Sequence, residues 1–231
     1  MRSGRIGQPF LFPFPNGTST NVVNQGRLSA SGAGVFLALN PTVNAANSGT
    51  IEATSSATVD IGGFQTTRFM NTGVVRAESG GRVLILDQTV ISNLISGTLT
   101  GGSWRVGPGG LIDFQLATAR VMVNAADIQL SGLNSNFPDL APLHNNRGSF
   151  SLSGGRTFQT VQGFENVGLL SVGLTSRLDV FESLLLSPAS VIALEVSAGD
   201  SFGQILAAQA ATLAGTLRIT SIGAPDYALW D

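Results

Sequence analysis

The chain has 231 residues, enough for one large domain or an elongated repeat array, and 43% of them are hydrophobic. Only 11% are charged, and the net charge of −2 gives no electrostatic reason to expect a nucleic acid or an anionic membrane as a partner. The sequence contains no cysteine, which excludes disulfides and thiolate metal sites, and no apolar run reaches the roughly 18 residues of a membrane-spanning helix.

Residues 1–23 do not follow the pattern of the rest of the chain. Their central part, residues 10–15, alternates aromatic residues with proline, which favours an extended conformation and disfavours pairing inside a sheet. The first five residues lack the apolar stretch of a signal peptide. We therefore expect an N-terminal extended arm or cap over residues 1–23.

A seven-residue phrase recurs three times between residues 24 and 77. It begins at Asn24, Asn47 and Asn71, and each copy has the form Asn-x-Gly-x-aliphatic-x-Ala. A Gly/Ser turn and a pair of aliphatic residues follow each of these copies, and a fourth copy, with Val172 in place of the alanine, begins at Asn166. Similarity at a fixed period of this length is typical of solenoids, and the alternation within each copy indicates β-strands. We predict an all-β solenoid of about nine coils of 23–24 residues over residues 24–231.

Within each copy, alternate residues belong to an inner and an outer set. Glu52 and Arg76 occupy the same outer offset, so we expect them to be neighbours on successive coils, an exposed pair worth about 0–1 kcal/mol. The asparagines belong to the inner set and should form a hydrogen-bonded ladder at one corner of the coils. The predicted ladder residues are Asn24, Asn47, Asn71 and Asn166.

Between residues 87 and 165 the repeat is weaker. Residues 134–147 are rich in proline and asparagine, and we interpret them as a loop insertion that protrudes from one corner. Insertions in repeat proteins often carry binding. The candidate ligand-binding residues are therefore the polar group at the end of this segment, Asn145, Asn146 and Arg147.

The repeated phrase, together with the Gly-rich segment 96–104, resembles the coils of large exported bacterial proteins, the autotransporter-passenger and haemagglutinin-like right-handed parallel β-helices. The tail from Leu194 to Ile219 is similar to the last coils of such proteins. The resemblance implies a right-handed parallel β-helix in an extracellular or cell-surface protein, whose signal and anchor are not present in this chain. It says less about function, because the same coils serve as adhesins, stalks and enzyme scaffolds.

Candidate catalytic groups are few and scattered. Paired carboxylates must lie within about 5–10 Å of each other, and Asp113 and Asp127 are the pair that adjacent coils could bring together. A nucleophilic site would have to use the single histidine, His144, with Asp139, although no Gly-x-Ser-x-Gly elbow is present. No calcium-binding nonapeptide or phosphate loop occurs. We therefore expect no metal ion and no cofactor and favour a chain without catalysis, with Asp113 and Asp127 at a solvated surface and His144 in a loop.

The sequence thus favours a structural or adhesive segment of an exported bacterial surface protein, a stiff spacer that displays loops. Its partner would be a glycan or another ligand on a host or cell surface. Two alternatives stay open. One is a carbohydrate-binding or polysaccharide-cleaving β-helix that works near Asp113, Asp127 and the 134–147 loop. The other is a self-assembling solenoid building block, whose ends associate unless residues 10–14 and 227–230 cap them.

Overall fold

A computed structural model describes residues 2–7, 20–63, 66–116, 120–198 and 201–223. These residues wind into a parallel β-helix, which confirms the predicted solenoid. Most coils present three short strands, and each strand pairs in parallel with the equivalent strand of the next coil. The backbone hydrogen bonds of one coil are therefore made to the coils before and after it.

The strands of the first four coils are β1 (Arg2–Gly7), β2 (Asn21–Asn24), β3 (Arg27–Ser31), β4 (Val35–Asn40), β5 (Asn44–Asn47), β6 (Thr50–Thr54), β7 (Thr58–Ile61), β8 (Thr67–Asn71), β9 (Val74–Ala77), β10 (Arg82–Ile85), β11 (Thr89–Ile91), β12 (Leu94–Ile95) and β13 (Thr98–Val106). The later coils contain β14 (Leu111–Phe114), β15 (Val123–Ser131), a 3₁₀ helix (Pro138–Leu140), β16 (Asn145–Asn146), β17 (Ser149–Ser153), β18 (Thr157–Gln159), β19 (Phe164–Asn166), β20 (Leu169–Val172), β21 (Arg177–Val180), β22 (Leu184–Leu186), β23 (Val191–Ser197), β24 (Gln204–Ala207), β25 (Ala211–Thr212) and β26 (Thr216–Ile222).

Equivalent strands stack into three faces, which we name A, B and C. Face A runs from β1 through β4, β7 and β10 to β14, is interrupted by the 3₁₀ helix, and resumes with β18, β21 and β24. Face B runs from β2 through β5 and β8 to β11, where the antiparallel hairpin β12–β13 interrupts it. Face C is continuous, and its nine strands are β3, β6, β9, β13, β15, β17, β20, β23 and β26. One face therefore joins all the coils of the described residues without a break.

The predicted coil length of 23–24 residues applies only to the first coils. Asn24 and Asn47 are 23 residues apart, but Asn146 and Asn166 are only 20 apart. The face C partners Val75 and Trp104 are 29 residues apart because the hairpin β12–β13 is inserted between them. The coil length therefore follows the turns and insertions, while the stacking of the strands is kept.

The predicted N-terminal boundary differs from the structure. β1 pairs in parallel with β4, and β2 pairs with β5, so parts of residues 1–23 already belong to the solenoid. Residues 8–19, including the aromatic and proline segment, lie outside the described residues, as do residues 224–231.

Residues 134–147 also differ from the predicted loop insertion. They belong to a coil of ordinary length, since the face C partners Ile128 and Phe150 are 22 residues apart. Phe137 and Leu140 are buried in the core beside Leu143. Proline disfavours a β-ladder in the middle of a sheet, so a 3₁₀ helix replaces the face A strand while the apolar side chains keep the core filled.

The core is one column of inward-facing side chains. Small residues such as Ala30, Ala53 and Ala77 stack along the first coils, and the middle coils hold larger rings. Trp104 is fully buried and makes ring contacts with Phe69, Phe114 and Phe137. This aromatic cluster lies where faces A and B are interrupted.

The glycines of the second and third copies of the repeated phrase have a packing reason. A Cβ atom on Gly49 would lie 2.0 Å from the carbonyl oxygen of Gly26, and one on Gly73 would lie 2.1 Å from that of Gly49. Real Cβ contacts are much longer, so the adjacent coils approach too closely at Gly49 and Gly73 for a side chain. The Asn-x-Gly pairing therefore reflects coil stacking.

Candidate functional site

The most ordered polar feature of the molecule is a buried asparagine ladder at the corner between faces B and C. The Asn24 side-chain amide donates to Oδ1 of Asn47 at 2.7 Å, and Asn47 donates to Oδ1 of Asn71 at 2.8 Å. Each amide also donates to a backbone carbonyl of the next coil, at 3.0 Å for Thr50 and for Val74. One side chain thus both accepts from the coil before and donates to the coil after.

The hairpin β12–β13 divides the ladder into two runs. Asn93 hydrogen-bonds the backbone of Asn71 in both directions, at 2.6 and 2.9 Å, and ends the first run. In the second run Asn124 donates to Asn146 at 2.8 Å, and Asn146 donates to Asn166 at 2.7 Å. The ladder is therefore a structural device that spans most of the rod.

Three ladder residues were absent from the sequence prediction: Asn93, Asn124 and Asn146. Asn146 begins the segment Asn-Arg-Gly-Ser-Phe, which has the form of the repeated phrase with phenylalanine in the aliphatic position. Asn124 begins a copy in which alanine replaces glycine. Both residues thus begin a variant copy of the repeated phrase, which the sequence alone could have indicated. Asn93 lies beside the inserted hairpin and begins no such copy.

Two of the three candidate ligand-binding residues, 145–147, are buried and hydrogen-bonded within the protein. Asn146 is fully buried in the ladder. Asn145 is also buried, and its amide donates to the Glu165 carboxylate on the next coil. Arg147 is exposed, and its Nε donates to Asn145 Oδ1 at 3.3 Å. Of the three, only Arg147 offers a side chain to a ligand in solution.

A carboxylate lies between two guanidinium groups on the outer surface of face C. Glu52 Oε1 accepts from Nε of Arg27 at 2.6 Å, and Oε2 accepts from Nε of Arg76 at 2.7 Å. The two arginines belong to the coils before and after, and the Glu52 side chain between them is fully buried. Burial alone would raise the pKa of Glu52, but hydrogen bonds from Ser29 and from both arginines hold it below its usual value. The predicted exposed pair is thus a three-residue cluster, in which the Glu52 carboxylate is buried and both arginines are partly exposed.

Replacing Glu52 with glutamine should lower the free energy of unfolding by about 1–3 kcal/mol at pH 7, because two charge-assisted interactions are lost. The pKa of Glu52 is lower in the folded chain, so this stabilisation is present above pH 4.5 and is lost as the pH falls through the folded-state pKa. Urea unfolding at several pH values measures both effects. The control is Glu78→Gln, a partly exposed contact 3.7 Å from Arg76, which should cost less than about 1 kcal/mol. Equal losses for both variants would contradict the prediction.

The candidate pair Asp113 and Asp127 is separated by the fold. Asp113 lies on face A, where it is the register partner of Leu84, and Asp127 lies on face C. Asp127 Oδ2 accepts from Ser103 Oγ at 2.7 Å and lies 3.8 Å from Arg105. The two carboxylates therefore belong to different faces and not to a common groove.

His144 and Asp139 do not form a His–Asp pair among the hydrogen bonds of the described residues. The Nδ1 atom of His144 lies 3.1 Å from the carbonyl oxygen of Pro142. Asp139 lies in the 3₁₀ helix, where its Oδ2 accepts from the backbone N–H of Phe114 at 2.8 Å. That N–H is on face A, and the next coil has no strand there. The carboxylate thus replaces a missing backbone carbonyl.

Burial is the largest influence on Asp139 and raises its pKa to about 6; the hydrogen bond from Phe114 opposes the shift and the charge of Asp113 adds to it. The stability that this group contributes is fully present below about pH 3.8 and is lost as the pH rises through about 6.

We predict that Asp139→Asn is more stable than the wild type by about 1–2 kcal/mol at pH 8, because an amide oxygen accepts the Phe114 N–H without a buried charge. At pH 4 the advantage should disappear. Urea unfolding at both pH values tests this, with the exposed Asp87→Asn as the control variant. An advantage of equal size at pH 4 and pH 8 would count against a titrating Asp139.

Comparison of the chain with models of protein families, with curated proteins and with solved structures found no match in any of the three. Across the described residues, no helix has the length and apolar character needed to span a membrane. The same part of the chain has no group of three or more histidine or acidic side chains placed to hold a metal ion. The site must therefore be interpreted from its own geometry.

Proposed function

We propose that the chain is a structural or adhesive segment of an exported bacterial surface protein, a stiff spacer that displays side-chain features along its length. The observation that carries this proposal is the unbroken nine-strand stack of face C. With a spacing of about 4.8 Å between strands, nine layers give a rod roughly 40 Å long.

The buried polar groups support a mechanical role. The asparagine ladder, the cluster around Glu52 and the Asp139 carboxylate each make hydrogen bonds from one coil to the next. Each of them holds adjacent layers in register. Buried polar contacts of this kind make slippage costly, because a slipped coil would leave unpaired groups inside.

The hairpin β12–β13 is the feature best placed for display. Ile95 at its turn is 65% exposed, and Val90 and Met122 are also exposed. A groove beside the hairpin is lined by Val90, Leu94, Leu116 and Arg120. An apolar projection beside a cationic side chain suits a surface ligand that carries both an apolar and an anionic part.

Beads coated with the purified chain test the adhesive role. We expect them to bind host cells or a glycan array, and we expect Ile95→Asp to weaken the binding while Val23→Asp, an equally exposed position on face B, leaves it unchanged. A parallel panel of polysaccharide substrates should show no turnover. Turnover that Asp113→Asn or Asp127→Asn abolishes would support a polysaccharide-cleaving enzyme instead.

A second candidate function, carbohydrate binding without cleavage, is favoured by a groove beside face A. Exposed Phe181 lines it together with Gln159 and Asp179, and Arg177 pairs with Asp179 at 2.8 Å. Aromatic rings beside polar side chains suit the apolar face and the hydroxyl groups of a sugar. On a glycan array, Phe181→Ala should abolish binding, and Val161→Ala should not. No binding by the wild-type chain would exclude this candidate.

A further inference from the structure

Within the described residues, the last coil of the solenoid leaves core side chains exposed. Leu217 and Ile219 of β26 continue the inner rows, because they are the register partners of Ile192 and Leu194. Two coils before Leu217 in the same row, Leu170 is fully buried, whereas Leu217 and Ile219 are each 60% exposed. Side chains of the core type thus face solvent on the last coil.

The open end is concave and almost uncharged. A cavity of about 440 Å³ is lined by apolar side chains that include Leu184, Ile192 and Ile205, and Leu213 at its edge is 72% exposed. Residues 201–223 contain a single charged residue, Arg218. Its register partner is Ala193 in the outer row, so the guanidinium group lies outside the concave surface.

The backbone at this end is also open. β26 pairs with β23 on one side, and within the described part of the chain no strand pairs with its other edge. Native sheets usually protect such edges with proline, charge or a bulge. The seven residues Thr216–Ile222 have no proline and one charge, so the edge can accept another strand.

The two ends of the rod differ. On the first coil, Ala30 of β3 is almost completely buried and Leu28 is half-buried. The inner row at the N-terminal end is therefore covered. Contact between an open end and a covered end would bury little apolar surface, whereas two open ends would cover each other.

We propose that two copies of this chain associate through their C-terminal ends, as a two-fold dimer in which β26 pairs antiparallel with β26 of the second copy. Pairing centred on Ile219 places Arg218 opposite Thr220 of the second copy, so the two arginines do not face each other directly. The end surface consists of the twenty residues 204–223, comparable to the roughly 20–30 residues a side of stable interfaces. This dimer does not depend on the proposed function.

Light scattering on the full chain during size-exclusion chromatography gives the direct test. We expect twice the chain mass of 23.8 kDa for the wild type and a monomer for Leu217→Asp, which places a charge in the interface. The matched control is Val161→Asp, since Val161 is also 60% exposed but lies on the side of the rod. This control should remain a dimer. Circular dichroism checks that both variants keep their β-structure.

Cross-linking tests the contact itself, because the chain has no cysteine of its own. Ile219→Cys lies on the proposed two-fold axis and should give a disulfide-linked dimer under mild oxidation, whereas Val161→Cys should not. A wild-type chain that is monomeric at 100 µM would overturn the proposal. This holds also if the monomer covers the exposed end with another part of its own chain. A dimer insensitive to Leu217→Asp, equal cross-linking of both cysteine variants, or open-ended oligomers would overturn it as well.

Discussion

Replacing Asn47 with aspartate should lower the free energy of unfolding by about 3 kcal/mol or more at pH 7. The Asn47 amide donates to Asn71 Oδ1 and to the carbonyl of Val74, and its oxygen accepts from Asn24. A carboxylate has nearly the same shape as the amide and can still accept the hydrogen bond from Asn24. It cannot donate, and it places a negative charge beside Asn71 Oδ1 and the carbonyl oxygen of Val74. Both donated hydrogen bonds become repulsive contacts inside a buried corner.

Chemical denaturation at pH 7 and pH 3.5 measures this effect and its sign. Burial raises the pKa of the new carboxyl above its unfolded value, so the variant regains stability at low pH and loses it as the pH rises through the folded-state pKa. The control is Asn44→Asp, because Asn44 donates to Asn21 at 3.0 Å on the exposed outer side of the same strand pair. That change should cost less than about 1 kcal/mol. If Asn44→Asp were equally harmful, the ladder would have no special role.

Replacing Trp104 with alanine should lower the free energy of unfolding by about 3–5 kcal/mol, because a buried aromatic side chain is removed and the cavity cannot collapse fully. Trp104 is fully buried and contacts three phenylalanine rings at centroid distances between 5.3 and 6.4 Å. It lies on face C, at the level where faces A and B are interrupted. The aromatic cluster therefore supplies contacts between the two halves of the rod that two of the faces do not.

The loss should also change the shape of the unfolding transition. In a solenoid the stability is a sum over coils and the interfaces between them, so a weakened central interface lets the two halves unfold separately. Thermal unfolding followed by circular dichroism should show two steps for Trp104→Ala and one for the wild type. Phe181→Ala, which removes an exposed ring, should leave a single step and cost less than about 1 kcal/mol. A single sharp transition for Trp104→Ala would show that the halves do not depend on this cluster for their coupling.

The repeat period predicts some of the ladder asparagines and misses others. Asn24, Asn47 and Asn71 were predicted to stack because they share one position in a period of 23–24 residues, and the structure links them in that order. Asn146 was assigned to a ligand-binding loop, since the coil length near it falls to 20 residues and the fixed period no longer finds it. A shorter turn reduces the number of residues between successive asparagines, but their side chains still form the same hydrogen bond.

The cluster around Glu52 includes a contact, the one with Arg27, that the repeat pattern does not predict. The shared offset placed Glu52 beside Arg76 on the next coil. Arg27 lies at a different offset, and it reaches Glu52 because the arginine side chain is long and the strands are close. The sequence predicts which residues are register partners on adjacent coils. The burial of Glu52 also depends on Arg27, which is not its register partner.

By itself the sequence determined the parallel stacking of strands, the inner and outer sets of side chains and the polar corner, because each depends on a short pattern that repeats along the chain. Only the tertiary structure decided that residues 134–147 complete a coil, that Asp139 pairs with the N–H of Phe114 and that Leu217 and Ile219 face solvent. The physical reason is the range of the interaction. A strand's period is encoded within a few residues, but the burial of a side chain depends on which layer lies over it, and that layer is a full coil away.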